Sequence, residues 1–284
     1  MSSWFKLHVI PSRKPLDWAC PRNLLKCTLF NHLVQDLAPI GHFFVEIESD
    51  QPNRYGVKRV VSGMSRENKN QSTIAVIKEG VGLGSFFYDF KGALDSSEDA
   101  VHELEWAKKR KRLKTITVPV SSETAAVLMD EMDQWIRNAS FRHYSGGLEI
   151  LKGQGSGCAE FGAHFFNLAL GSMATPKEWI RSVYAAKKLT GGQRTGKKVS
   201  IFRVFLQGTA WAKDPVDGFL YATPDMDLTW SWMEKRAPGA VEMTLEPKDI
   251  TWNQGEKFSR ISFEAGYSKE SEEEVRKQWR KISL

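Results

Sequence analysis

An apolar segment that opens with a glycine–cysteine pair most constrains what this chain can fold into. Residues 157–171 read GCAEFGAHFFNLALG, and their composition predicts an apolar helix that begins at Cys158 and ends at Gly171. A helix of this kind needs a partner that covers its apolar surface. The cysteine then lies at the helix N-terminus.

The position of Cys158 predicts a reactive thiol. Unpaired N–H groups and the helix dipole stabilise a thiolate in the first turn and lower the cysteine pKa. The same N–H groups can hold a developing oxyanion, and Gly155 and Gly157 allow a substrate to approach closely. A small core residue is the alternative interpretation of this cysteine.

His42 is the best-placed base for such a thiol. The segment GHFFVEIE at 41–48 predicts a strand that places His42, Phe44 and Glu46 on one face. An imidazole beside a thiol takes its proton and later protonates the leaving group. His164, six positions along the helix from Cys158, faces away, and a purely structural role for His42 is the alternative.

The remaining elements follow from periodicity and capping residues. We expect further strands at 55–63, 73–78, 114–120 and 199–206, with strand-like stretches at 240–245 and 260–264. Helices are expected at 96–113 and 121–137, with a surface helix from 268 onward, and 23–37 fits a short helix or a strand. The order of these elements predicts an α+β fold.

The order of the histidine strand and the cysteine helix resembles a known family. A Gly-His strand, the later segment TITVPVSSETAAVLMDEMDQWI, a tyrosine-containing loop and then Gly-Cys-Ala-Glu-Phe are similar to the circularly permuted NlpC/P60 group. This papain-like group includes relatives of lecithin:retinol acyltransferase and YiiX-like hydrolases. The resemblance spans about residues 40–172 and implies a papain-like antiparallel sheet packed on the nucleophile helix.

The resemblance also implies roles for individual residues. Cys158 matches the family nucleophile and His42 the base. The family's third polar residue lies on the strand after the histidine strand, where this sequence offers no good match, so we expect Glu46 to orient the imidazole. An exposed surface glutamate is the alternative for Glu46; Tyr144 is expected to line the pocket, with core packing as its alternative.

The chain is expected to contain a catalytic part at 1–174 and a β-rich extension at 175–284. This extension either completes the sheet or forms a small second domain. The 284 residues carry a formal net charge of +6, which fits an anionic partner but also simple solubility. The basic runs KKRKR and KKLTGGQRTGKK favour solvated surface segments over a nucleic-acid site.

Several classes of protein are disfavoured by what the sequence lacks. Three cysteines are too few for a disulfide scaffold, although Cys20 and Cys27 are close enough to pair. The histidines, cysteines and carboxylates lack metal-ligand spacing, so we expect no metal and no cofactor. The first residues do not resemble a signal peptide and no stretch has transmembrane length, which leaves a cytoplasmic location or another export route open.

These observations predict a cysteine hydrolase that cleaves an amide or an acyl ester through a thioester. The resemblance implies peptide-containing polymers, such as peptidoglycan, or lipids as substrates. An acyltransferase of the same fold and a non-catalytic binding module are the alternatives. The sequence indicates neither the oligomeric state nor the exact substrate.

Overall fold

A five-stranded sheet forms the centre of the computed structural model, which describes residues 3–33, 37–68, 71–171, 175–246 and 269–284. Its strands span Ser3–Ile10 (β1), His42–Glu48 (β2), Arg59–Ser62 (β3), Lys114–Val120 (β6) and Glu242–Thr244 (β10). Their order across the sheet is β10-β6-β1-β2-β3. Neighbouring strands are antiparallel except β10, which runs parallel to β6. The sheet is therefore mixed at one edge and not purely antiparallel as expected.

Smaller sheets and helices surround this centre. One sheet has the order β4-β5-β7, with strands Met64–Arg66, Phe90–Leu94 and His143–Tyr144, and β8 (Ile180–Ala186) forms a hairpin with β9 (Gly218–Pro224). The helices are Pro21–Leu33 (α1), Gln71–Ile74 (α2), Ser97–Lys109 (α3), Ser122–Arg137 (α4), Cys158–Ala169 (α5), Ile201–Gln207 (α6), Met226–Arg236 (α7) and Glu272–Ile282 (α8). The fold class is α+β, in agreement with the sequence.

The main core lies between one face of the central sheet and helices α4 and α5. Strand residues such as Leu7, Phe43 and Ile116 are fully buried against α4 residues such as Trp135 and the α5 residue Phe161. On the other face, α3 covers a smaller apolar cluster. Burial of apolar area on both faces supplies the main stabilisation of the fold.

Two expected strands are helical in the structure. The segment 199–206 contains α6, because the Ser200 side chain accepts a hydrogen bond from the Arg203 N–H and caps a helix there. The segment 73–78 lies in α2 and in the π-helical turn Ala75–Glu79 that continues it. Both segments are rich in β-branched or aromatic residues, so propensity favours strands where local capping and packing select helices.

The C-terminal part is joined to the main core and is mixed in structure. Its described residues form three strands and three α-helices, so the expected β-rich character is wrong for them. β10 extends the central sheet, and the α8 residue Trp279 is buried and donates from its indole N–H to Asp133 of α4 at 2.9 Å. The stretch 260–264 lies outside the described residues.

Within the described ranges, the helices are all too short or too polar to cross a lipid bilayer.

Candidate active site

Close packing of α5 on β2 positions Cys158 and His42. Cys158 is the first residue of α5 and His42 the first residue of β2. A Cβ atom added at Gly162 would lie 2.8 Å from the Phe43 Cβ, so only glycine allows the helix to approach the strand this closely. The structure thus brings together the two residues that the sequence singled out, although they are 116 positions apart in the chain.

The thiol and the imidazole form an electrostatic pair. Both side chains are buried, with 6% of Cys158 and 9% of His42 exposed. Burial alone raises the pKa of Cys158, but the charge and hydrogen bond of His42 outweigh it and hold that pKa below its ordinary value. Burial alone lowers the pKa of His42, but the Cys158 charge and Asp95 raise that pKa well above its ordinary value. The arrangement favours a thiolate–imidazolium pair.

Asp95 is the carboxylate that contacts the imidazole. Its Oδ2 lies 3.2 Å from His42 Nε2, and its backbone is held by hydrogen bonds with Gly63 and Ser62. A Cβ atom at Gly63 would lie 2.7 Å from Nε2 and 2.8 Å from Oδ2, so glycine there leaves room for the contact. The sequence signal for Asp95 is its place directly after β5 and before the Ser96 cap of α3.

Glu46 does not contact His42, which corrects the expectation that it orients the imidazole. Its carboxylate lies 2.9 Å from His8 Nε2 and accepts a hydrogen bond from Arg59 Nε at 2.7 Å. Burial alone raises the pKa of Glu46, but the bonds from His8 and Arg59 hold that pKa below its ordinary value. Period two places Glu46 on the same face as His42, but the two residues are four positions apart, about 13 Å along a strand, and a nearer base, His8, contacts the carboxylate.

Tyr144 lies in the pocket and also contacts the sulfur. Its hydroxyl donates to the Cys158 Sγ across 3.7 Å. Burial, together with the charge of Cys158, raises the pKa of Tyr144 well above its ordinary value, so the phenol keeps its proton. A neutral phenol beside the nucleophile can donate a hydrogen bond to a thiolate or to an oxyanion formed nearby.

Glu160 caps the helix that carries the nucleophile. Its carboxylate accepts hydrogen bonds from its own backbone N–H and from that of Gly157, the N-cap residue, and from the Thr223 hydroxyl at 2.6 Å. The bond from the Gly157 N–H to the Glu160 carboxylate is one half of a capping box, and it fixes the start of α5. Burial raises the pKa of Glu160 despite these bonds. Because the Glu160 carboxylate accepts from the Gly157 N–H, the N–H groups of Cys158 and Ala159 are the ones left at the helix N-terminus for an oxyanion.

A largely apolar groove of about 270 Å³ reaches Cys158. It extends from Cys158 and Tyr144 past aromatic and aliphatic side chains on α1, α6 and the helical segment 71–79. Lining residues include Trp18, Leu25, Leu29, Phe86, Ile77 and Val204. A ligand in this groove would place an apolar chain along these helices and a reactive group beside the thiol.

All three cysteines, including Cys20 and Cys27, are free thiols. In the part of the chain that the structure describes, no three or more His, Cys, Asp or Glu side chains are grouped so as to hold a metal ion. Comparison with protein-family models, with curated proteins and with solved structures finds no match to this chain.

We expect the alkylation of Cys158 by iodoacetamide to depend on pH with a midpoint below about 8.5, the ordinary cysteine value. Because the lowered pKa of Cys158 depends on His42, and Asp95 supports the imidazolium, Asp95→Asn should move this midpoint to higher pH. Rates measured over a pH series by mass spectrometry give the midpoint directly.

Glu46→Gln is the matched control for Asp95→Asn, since its carboxylate contacts His8 and Arg59 instead. Its midpoint should equal that of the wild type. Equal midpoints for wild type and Asp95→Asn would contradict the assignment of Asp95.

Proposed function

We propose that this chain is a cysteine hydrolase that cleaves acyl esters through a thioester on Cys158. The observation that carries the proposal is the buried Cys158–His42 pair, with Asp95 on the imidazole, at the end of a largely apolar groove. The order of the histidine strand before the cysteine helix supports a permuted papain-like arrangement. The amide-cleaving alternative uses the same residues and differs only in the leaving group.

The first half of the reaction forms the thioester. The Cys158 thiolate attacks the acyl carbonyl, and the carbonyl π electrons move onto oxygen. The Tyr144 hydroxyl and the first N–H groups of α5 lie where they can stabilise this oxyanion. As the oxyanion collapses, the ester C–O bond breaks and the imidazolium of His42 protonates the departing alcohol.

The second half releases the acid and restores the site. Neutral His42 removes a proton from water, which attacks the thioester carbonyl. The C–S bond breaks, the carboxylic acid leaves and the thiolate–imidazolium pair re-forms. Asp95, through its contact with Nε2, holds the ring in place during both proton transfers.

The groove favours an acyl substrate over a peptide. Its lining is mainly aliphatic and aromatic, which suits a hydrocarbon chain better than a polar peptide. The same feature favours acyl transfer as a second function, in which an alcohol or amine takes the place of water. A peptide-containing polymer would need polar partners along the groove, and polar side chains such as Arg66, Ser145 and Asp225 form the smaller part of its lining.

Hydrolysis of p-nitrophenyl esters should become faster as the acyl chain lengthens. Each methylene buried in the groove contributes roughly fourfold in binding, so kcat/KM should rise at least about tenfold from acetate to octanoate. Cys158→Ala should abolish the reaction with every ester. Absorbance of the released p-nitrophenolate measures both effects.

A peptide p-nitroanilide is the comparison substrate. If hydrolysis depends on Cys158 but its kcat/KM does not change with chain length, the acyl substrate is contradicted while the role of the thiol as nucleophile is supported. Cys158-dependent cleavage of the anilide alone would favour the amide alternative, and equal rates in Cys158→Ala would contradict the proposal as a whole. If the reaction is run with added glycerol and gives acylglycerol in place of free acid, the protein catalyses acyl transfer.

A further inference from the structure

Exposed apolar side chains are concentrated on three helices of this protein. Among the described residues, thirteen large hydrophobic side chains are exposed, and eight of them lie on α1, α6 and the helical segment 71–79. We call the five most exposed of these eight the apolar rim. They are Phe30 (52%), Leu33 (84%), Ile77 (59%), Phe202 (75%) and Leu206 (69%). A cluster of this kind on a protein surface marks an interaction site.

The three helices are held together as one surface. Arg22 of α1 donates to the backbone carbonyls of Phe205 and Leu206 on α6, at 2.5 and 2.7 Å. The Val199 N–H, just before α6, donates to the Gly80 carbonyl directly after the segment 71–79, at 2.5 Å. The rim residues therefore lie on helical segments that are bonded to one another.

The three helices that carry the rim also line the groove that leads to Cys158. Leu29 of α1, Ile77 of the segment 71–79 and Val204 of α6 line the groove. Leu29 and Ile77 are also exposed, so the groove reaches the surface on the same helices that carry the apolar rim. An apolar chain that enters between these helices would reach the thiol along a groove whose lining is mainly apolar.

Basic residues flank the rim. Neither α1 nor α6 contains an aspartate or a glutamate, while α1 carries Arg22 and Lys26. Lys198 lies shortly before α6, and Lys14 places its ammonium 5.6 Å from the ring centre of Phe30. Exposed apolar side chains bordered by cations match the boundary between acyl chains and anionic headgroups of a bilayer.

We propose that the apolar rim and its flanking cations form a docking site for an anionic lipid membrane. The rim side chains enter the headgroup boundary while the cations contact lipid phosphates and carboxylates. Docking itself does not depend on the thiol chemistry; the role of docking in presenting acyl chains to the groove rests on the proposed function. A lipid surface is the occupant favoured by the cations that flank the rim and by the place of the rim on the helices that line the groove.

Sedimentation with lipid vesicles tests this site. The full chain should bind equimolar phosphatidylcholine–phosphatidylserine vesicles and bind phosphatidylcholine vesicles much more weakly, because each basic residue near the surface adds roughly fivefold to the partition coefficient. Leu33→Ser combined with Phe202→Ser should reduce binding at least about tenfold. Both side chains are exposed, so this variant keeps its core intact.

Val216→Ser combined with Val241→Ser is the matched control. These side chains are 76% and 57% exposed but lie outside the three helices, and this variant should bind as the wild type does. Cys158→Ala should also bind normally, which separates docking from catalysis.

Two results would overturn the docking site. One is failure of the wild type to bind the anionic vesicles, and the other is equal binding by the rim variant. If sedimentation velocity instead shows a wild-type dimer that the rim variant converts to a monomer, without vesicle binding, the face contacts a second copy and the lipid proposal is wrong.

Discussion

Replacing His42 with alanine is expected to lower kcat/KM for acyl-ester hydrolysis by about 10²–10⁴-fold at neutral pH. The reason is that the imidazole both stabilises the Cys158 thiolate and transfers protons in the two halves of the reaction. Without it, burial raises the thiol pKa against the hydrogen bond of Tyr144 alone, and the departing alcohol loses its proton donor. Initial rates with p-nitrophenyl octanoate measure the loss.

Variants of Asp95 and Glu46 distinguish a role in positioning the imidazole from a general disturbance of the sheet. Asp95→Asn should lower the rate less than His42→Ala and shift the pH profile, because Asp95 acts only through the imidazole. Glu46→Gln should leave rate and profile unchanged. If Glu46→Gln lowered the rate and shifted the profile while Asp95→Asn did neither, the assignment of the positioning residue would be reversed.

The second large effect is expected in the core. Trp179→Ala should reduce the free energy of unfolding by about 3–5 kcal/mol, as expected for a fully buried aromatic side chain. The Trp179 ring packs 4.9 Å from Phe166 of α5 and 5.3 Å from Trp232 of α7, measured between ring centroids. The ring therefore joins the C-terminal part to the nucleophile helix. Because the two parts share this core, urea denaturation of the variant should still show one cooperative transition.

Trp179→Phe is the conservative comparison, because a phenyl ring fills part of the same space. Trp179→Phe should reduce the free energy of unfolding clearly less than Trp179→Ala does. Two separate transitions, with the alanine variant shifting only one of them, would contradict this joint core. That outcome would favour the independent second domain considered for residues 175–284.

The sequence predicted the helices and strands whose formation depends on residues close to them in the chain. The α5 boundaries follow from Gly157 and Gly171, and β2 follows from the alternation that begins at His42. The segments 114–120 and 121–137 also form the expected strand and helix, because apolar spacing and the Ser121 cap act within a few residues.

The contacts that the sequence could not supply are long-range ones. Asp95 reaches His42 because β4 and β5 pair and bring Gly63 beside Asp95, a register that no local pattern specifies. The central position of β1 likewise depends on its pairing with both β2 and β6. Capping, as at Ser200, overrode β propensity in the segment 199–206.

Competition among the three free cysteines for limiting iodoacetamide, at neutral pH on the folded protein, tests the central claim most directly. Exposure alone favours Cys20, which is partly exposed, over the buried Cys27 and Cys158. The activated pair predicts the opposite order: peptide mapping should show Cys158 modified first, and His42→Ala should remove that advantage. Modification of Cys20 first, with Cys158 inert until denaturation, would contradict the account.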